Sequence, residues 1–183
     1  MVQKPVIRFS VCTAIVFLGF PSFAAGPILS DNRQPVSWGD RLVRYAFDPG
    51  SLGDLTPFEA AQMVNQAFAV WEDVDTATVQ FLSQGQFNLD VDADNYIDFL
   101  NYTKAEGYNP IVFDDDGAIL DLILGKESAK SILGLTSVDS SSSGQMEYAR
   151  ITFNGRYLGP DGYTAQEFFN TVLHETGHFI GLD

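Results

Sequence analysis

Cysteine and histidine are nearly absent from this chain. Its 183 residues include one cysteine and two histidines. The cysteine, Cys12, lies in the N-terminal leader described below, so no disulfide can form within the remainder of the chain. This excludes the class of small secreted domains that disulfides stabilise. A domain of this length must therefore be held by its hydrophobic core, by bound metal ions, or by both.

Basic residues are also scarce. Ten lysines and arginines face 24 aspartates and glutamates, which gives a formal net charge of −14. A surface of this sign repels nucleic acid and anionic lipid, so neither class of partner is expected. It attracts cations, and calcium is the natural candidate in an extracellular setting.

No apolar run is long enough to cross a bilayer. Lys4 and Arg8 precede an apolar run over residues 11–20, and small residues around Ala24 follow. This arrangement is typical of a secretory signal peptide spanning residues 1–24. An uncleaved membrane anchor is the alternative, but the run is short for one. We therefore expect a secreted protein, extracellular or periplasmic, with no membrane association after the leader is cleaved.

Periodicity in the remaining residues, 25–183, predicts a single α+β domain. Strands are predicted at 41–47, 77–82 and 148–155, and helices at 56–74 and 165–180. Residues 95–102 fit either a strand or a short helix. The stretch 109–125 reads as a strand, an acidic turn and an apolar segment, and the serine-rich stretch 136–145 is predicted to be a flexible loop.

The two histidines lie on the last predicted helix. Thr164 and Glu167 form a capping box at its start. His174 and His178 are four residues apart, so both imidazoles point to the same side and can bind one zinc ion. Glu175 follows the first ligand and is placed to act as general base and then general acid in peptide hydrolysis.

Gly181 lies three residues after His178, where a glycine permits a sharp turn. The stretch "HETGHFIGLD" resembles the first ten residues of the metzincin motif H-E-x-x-H-x-x-G-x-x-H, and in particular that of the matrixins, the matrix-metalloproteinase-like peptidases. The resemblance implies a third histidine ligand at the position after Asp183. It also implies a methionine turn further on, so we expect the sequence to be a fragment cut on its C-terminal side.

The resemblance extends more loosely over residues 36–183. It implies a metzincin-like catalytic domain, with a twisted mixed sheet, a long first helix and an active-site helix that carries HExxH. It implies a zinc metalloendopeptidase that acts on protein or peptide substrates. A zinc peptidase of another class, with a distant glutamate as third ligand, is an alternative that Gly181 disfavours.

Two acidic stretches are candidate calcium sites. Asp90, Asp92 and Asp94 occupy positions one, three and five of an EF-hand-like loop, but Asn95 replaces the usual glycine and Asn101 the usual glutamate. This match is therefore a weak one.

The acidic turn is the better calcium candidate. Asp114, Asp115 and Asp116 precede Gly117, and the matrixin resemblance implies a calcium-binding turn here. Acidic loops of this kind leave a second function open, a non-catalytic, calcium-binding surface or adhesion module derived from the same fold.

Overall fold

The computed structural model describes residues 8–10 and 26–183. Its strands are β1 (Arg8–Ser10), β2 (Ser37–Trp38), β3 (Leu42–Phe47), β4 (Gln80–Gln86), β5 (Asn109–Asp114), β6 (Gly134–Ser140) and β7 (Gln145–Asn154). Its α-helices are α1 (Pro57–Glu72), α2 (Tyr96–Glu106), α3 (Ala118–Leu124) and α4 (Ala165–Phe179).

The strands form one mixed sheet in the order β1-β6-β7-β5-β3-β4, and β2 pairs with the start of β7. Strands β4, β3, β5 and β7 run parallel to one another. Strand β6 is antiparallel to β7, and β1 is antiparallel to β6. The fold is thus α+β and consistent with a metzincin-like catalytic domain, as predicted.

Helices cover both faces of the sheet. Ile111 and Phe113 of β5 point into the main core, where they meet the buried stripes of α1 and α4. Val112 points the other way, into a smaller cluster with α2 and α3. The sheet is therefore the middle of three layers, and α4 is packed beneath it with its functional residues close to β6.

Most of the predicted elements are confirmed, and of residues 95–102 all but the N-cap Asn95 belong to helix α2. The predicted loop over residues 136–145 is wrong, because its first half belongs to β6, Gln145 begins β7, and only the four-residue turn 141–144 is irregular. Thr136 and Ser137 are buried there. The serine content suggested solvent exposure, but pairing with β7 buries these small polar side chains within the sheet.

The predicted signal peptide, residues 1–24, falls almost entirely outside the described residues. The exception is β1, whose backbone pairs with β6. Within the part of the chain that the structure describes, no helix has the length and apolar character that crossing a membrane requires.

Candidate metal centre

Helix α4 begins with the predicted capping box. The Thr164 hydroxyl oxygen accepts from the Glu167 backbone N–H at 3.3 Å, and the Glu167 carboxylate accepts from the Thr164 N–H at 2.9 Å. Phe168, Val172 and Phe179 on this helix are buried in the core. The start and the rotation of α4 are thereby fixed, which determines where its histidines lie.

The two imidazoles face each other one helical turn apart. The Nε2 atoms of His174 and His178 are 3.0 Å apart, and the ring centroids are separated by 4.5 Å. Together with Glu175 they form a group whose ligand atoms all lie within 4.8 Å of one another. Among the described residues, no other set of three histidine, cysteine or acidic side chains meets this criterion.

The turn after α4 orients the second histidine. Gly181 has φ +97°. The N–H groups of Gly181 and Leu182 donate to the carbonyls of His178 and Gly177, both at 3.0 Å, which is the Schellman arrangement. The Leu182 carbonyl then lies 2.7 Å from His178 Nδ1. A proton on Nδ1 donates to this carbonyl, which leaves Nε2 free as the ligand atom.

The beginning of the domain holds this turn in place. Ile28 N–H donates to the Gly181 carbonyl and Asp183 N–H to the Gly26 carbonyl, both at 2.7 Å. The Trp38 indole N–H donates to the Phe179 carbonyl at 2.9 Å. A carbonyl at the helix end, which has no partner within α4, is thus satisfied from a distant part of the chain.

A second tryptophan anchors the middle of α4. The Trp71 indole N–H lies 3.0 Å from the Thr176 hydroxyl oxygen and 3.2 Å from the Leu173 carbonyl. The ring packs against Gly177, where an added Cβ would lie 3.1 Å from the indole. Helix α1 therefore fixes α4 at the turn that carries Glu175.

Glu175 points into the protein against β6 and is only 2 % exposed. The Thr136 hydroxyl donates toward its Oε2 at 2.7 Å and toward its backbone carbonyl at 3.0 Å. Burial raises the pKa of the Glu175 carboxyl, while the Thr136 hydrogen bond and the nearby His178 act in the opposite direction. A carboxyl with a raised pKa and a fixed orientation is suited to accept and return a proton.

His174 is the exposed member of the group, so the centre opens to solvent on its side. Partial burial, and then the neighbouring His178, lower the pKa of the His174 imidazole. The neutral form that metal binding requires is therefore favoured. Two converging Nε2 atoms, one of them oriented by a carbonyl, fit a zinc ion, which prefers imidazole ligands.

The predicted calcium residues of the acidic turn bind backbone N–H groups. Asp114 accepts from Ile119 and Leu120 at 3.1 and 2.9 Å, and Asp116 accepts from Ala118 at 2.9 Å, so both carboxylates cap α3. Burial raises the pKa of Asp114 to about 6.

Asp116 also lines a cavity of about 600 Å³ with Asp54, Asp115, Asp121 and Arg156. The Arg156 guanidinium in the same cavity disfavours a cation there. Calcium at this turn stays a prediction.

The EF-hand-like stretch has a different shape from an EF-hand. Helix α2 begins at Tyr96, the seventh position of the proposed loop, and no described helix directly precedes it. Asp92 Oδ1 accepts from the N–H groups of Asp94 and Asn95, while the Asn95 amide donates to the Asp90 carbonyl. These side chains stabilise the start of α2, and calcium binding by them stays a prediction.

Several residues that shape the centre carried no recognisable signal in the sequence. They are Thr136 and Gly134 on β6, Trp38, Trp71 and the Leu182 carbonyl. The first four contact α4 from positions far away in the sequence. Leu182 is close in sequence, and its carbonyl reaches His178 only because of the turn at Gly181. The turn itself was predicted from the glycine.

Comparison with known proteins gives one family match. Residues 119–183 match the model of the peptidase family M43, described as pregnancy-associated plasma protein-A. The match covers more than a third of the chain and includes β6, β7 and α4. This is a metzincin-type zinc peptidase family, so the match supports a zinc metallopeptidase and the metzincin part of the expectation, but not the matrixin branch. No curated protein and no solved structure matches the chain.

Proposed function

We propose that this chain is a zinc-dependent endopeptidase of metzincin type. The observation that carries the proposal is the convergence of the His174 and His178 Nε2 atoms beside the buried carboxylate of Glu175. The family match over residues 119–183 supports the same conclusion independently of the geometry. Membership of the matrixin branch rests only on the resemblance of the sequence, close in the HETGHFIGLD stretch and looser over residues 36–183.

In this proposal each residue of the centre has one role. His174 and His178 hold the zinc ion, which when bound makes a water more acidic and polarises a carbonyl. Glu175 accepts a proton from the attacking water on a carboxylate oxygen and returns it to the amine that leaves. Because Glu175 is buried against β6, its carboxylate is excluded from bulk solvent and keeps one orientation.

We further propose that the substrate binds along the outer edge of β6. This strand lies directly above Glu175, to which Thr136 is hydrogen bonded. The backbone of Arg8–Ser10 pairs antiparallel with Thr136–Val138, so the geometry of this edge suits an added strand. A peptide that pairs in the same way would be held by main-chain hydrogen bonds, with its scissile bond carried toward the metal centre.

The test is hydrolysis of a mixed peptide library by the zinc-loaded protein, expressed from its full coding sequence and analysed by mass spectrometry. We expect cleavage that a chelator abolishes and added zinc restores. Glu175→Gln should bind zinc but lose at least about a thousandfold in rate, because it cannot accept the proton. Glu106→Gln, the same change at an exposed residue of α2, is the matched control and should retain full activity.

Hydrolysis by a zinc-replete Glu175→Gln variant would contradict the assigned role. Calcium binding without hydrolysis by the zinc-replete protein from the full coding sequence would favour the non-catalytic module instead.

Secretion completes the proposal and rests on the composition of residues 1–24. We expect the mature protein to begin near Ala25 and to appear outside the cytoplasm. N-terminal sequencing of protein recovered from the medium or periplasm tests this. Recovery only from the cytoplasm, with the leader intact, would count against it.

A further inference from the structure

We propose that Thr136 is a positioning residue that holds the Glu175 carboxylate in the orientation needed for proton transfer. The inference rests on the function proposed above and assigns a role to a residue outside the HExxH motif. Thr136 lies on β6, 39 residues before Glu175, and the two meet only because α4 packs beneath this strand.

The first support is the hydrogen-bond geometry. The Thr136 hydroxyl lies 2.7 Å from Glu175 Oε2 and 3.0 Å from the Glu175 backbone carbonyl, so it is placed between the two ends of the same residue. Thr136 is 1 % exposed and sits within the β6–β7 pairing, opposite Ile151. A β-branched side chain in a paired strand has a restricted χ1 angle, so the hydroxyl is a fixed reference point.

The second support is the close approach of Gly134 on the same face of β6. A Cβ at this position would lie 2.6 Å from Glu175 Cγ and 3.2 Å from Oε1. The strand backbone therefore forms one wall for the Glu175 side chain, and the Thr136 hydroxyl holds Oε2. Oε1 remains as the oxygen for the water proton, and the strand backbone at Gly134 limits where it can lie.

A positioning role and a purely structural role predict different kinetics. Loss of orientation slows the chemical step but leaves substrate binding and zinc binding alone. Loss of stability alone reduces the amount of folded protein without changing kcat per folded, zinc-loaded molecule. Thr136→Val keeps the shape of the side chain and removes the hydroxyl, whereas Thr136→Ser keeps the hydroxyl.

The matched control is Thr152→Val on β7. Its hydroxyl is also buried and hydrogen bonded, to the Tyr96 hydroxyl at 3.1 Å on the opposite face of the sheet. We expect Thr136→Val to lower kcat about tenfold, the factor expected for losing a hydrogen bond to a charged group, with KM and zinc content unchanged. Thr136→Ser should recover most of the loss, and Thr152→Val should leave kcat unchanged.

A double-mutant cycle in the metal-free protein gives a readout that does not depend on activity. Thr136→Val is measured by urea unfolding in the unmodified chain and in a Glu175→Met background, which keeps the side-chain volume. We expect the folding equilibrium constant to fall about tenfold in the first background and much less in the second. Thr152→Val should cost the same in both.

The two measurements separate this inference from the function it rests on. If the zinc-loaded chain hydrolyses no peptide, the proposed function fails and the catalytic role of Thr136 fails with it, while the unfolding cycle still decides whether Thr136 holds Glu175. If the chain is active, a Thr136→Val variant with unchanged kcat, or a Thr136→Ser variant as slow as it, overturns the proposal. Equal losses in both unfolding backgrounds also overturn it.

Discussion

Replacing Gly181 by alanine tests the turn that orients His178. Gly181 has φ +97°, a conformation that costs a residue with a side chain about 1–3 kcal/mol. An added Cβ would also lie 2.2 Å from the Val36 carbonyl oxygen, and moving packed backbone costs about 1–3 kcal/mol more. The total loss of unfolding free energy is therefore about 2–6 kcal/mol.

The same substitution at Gly85 is the control. Gly85 has φ +85° but no atom within 4 Å of an added Cβ, so Gly85→Ala isolates the cost of the backbone conformation. In thermal unfolding we expect a midpoint decrease of roughly 10 °C for Gly181→Ala and roughly half of that for Gly85→Ala.

Zinc affinity separates the two variants further. Displacing the turn moves the Leu182 carbonyl away from His178 Nδ1, and losing such a partner lowers metal affinity by about 10- to 100-fold. Gly85→Ala should bind zinc normally. The reasoning is refuted if Gly181→Ala is no less stable than Gly85→Ala, or if its zinc affinity is unchanged.

Two further predictions concern the support of α4 and the buried carboxylates. Trp71→Phe removes the indole N–H that bonds to Leu173 and Thr176 and should lower the free energy of unfolding by about 1–3 kcal/mol; an unchanged urea midpoint would contradict this. Asp48 is fully buried, and burial raises its pKa from 3.8 to about 6, so the folded chain keeps a proton that the unfolded chain has already released. Its contribution to stability, about 3 kcal/mol, is present below pH about 4 and is lost as the pH rises through about 6. Asp48→Asn should therefore show a smaller decline in unfolding free energy between pH 4 and 7, and an equal decline would show that Asp48 does not titrate in this range.

The elements that the sequence revealed are those whose signals are local. The capping boxes of α1 and α4 and the four-residue spacing of His174 and His178 depend only on neighbours along the chain. They therefore predicted both helices and the pair of imidazoles directly. Gly181 predicted a turn because a positive φ favours glycine at a helix end.

What the sequence could not reveal depends on long-range packing. The first half of the serine-rich stretch became part of β6 only through its pairing with β7, and Thr136 reaches Glu175 only because α4 lies below that strand. The acidic turn shows the same limit, since the carboxylates of Asp114 and Asp116 bind the backbone of α3. The sequence predicted only an apolar segment after the turn and did not identify it as helix α3.

The most direct test of the metal centre is X-ray absorption at the zinc edge, combined with the metal content of the purified chain. The account predicts one zinc ion per chain with two imidazole nitrogens at about 2.0–2.1 Å, and loss of that ion in His174→Ala and His178→Ala. A chain that binds no zinc at micromolar metal, or that keeps the same zinc environment in both variants, would contradict it.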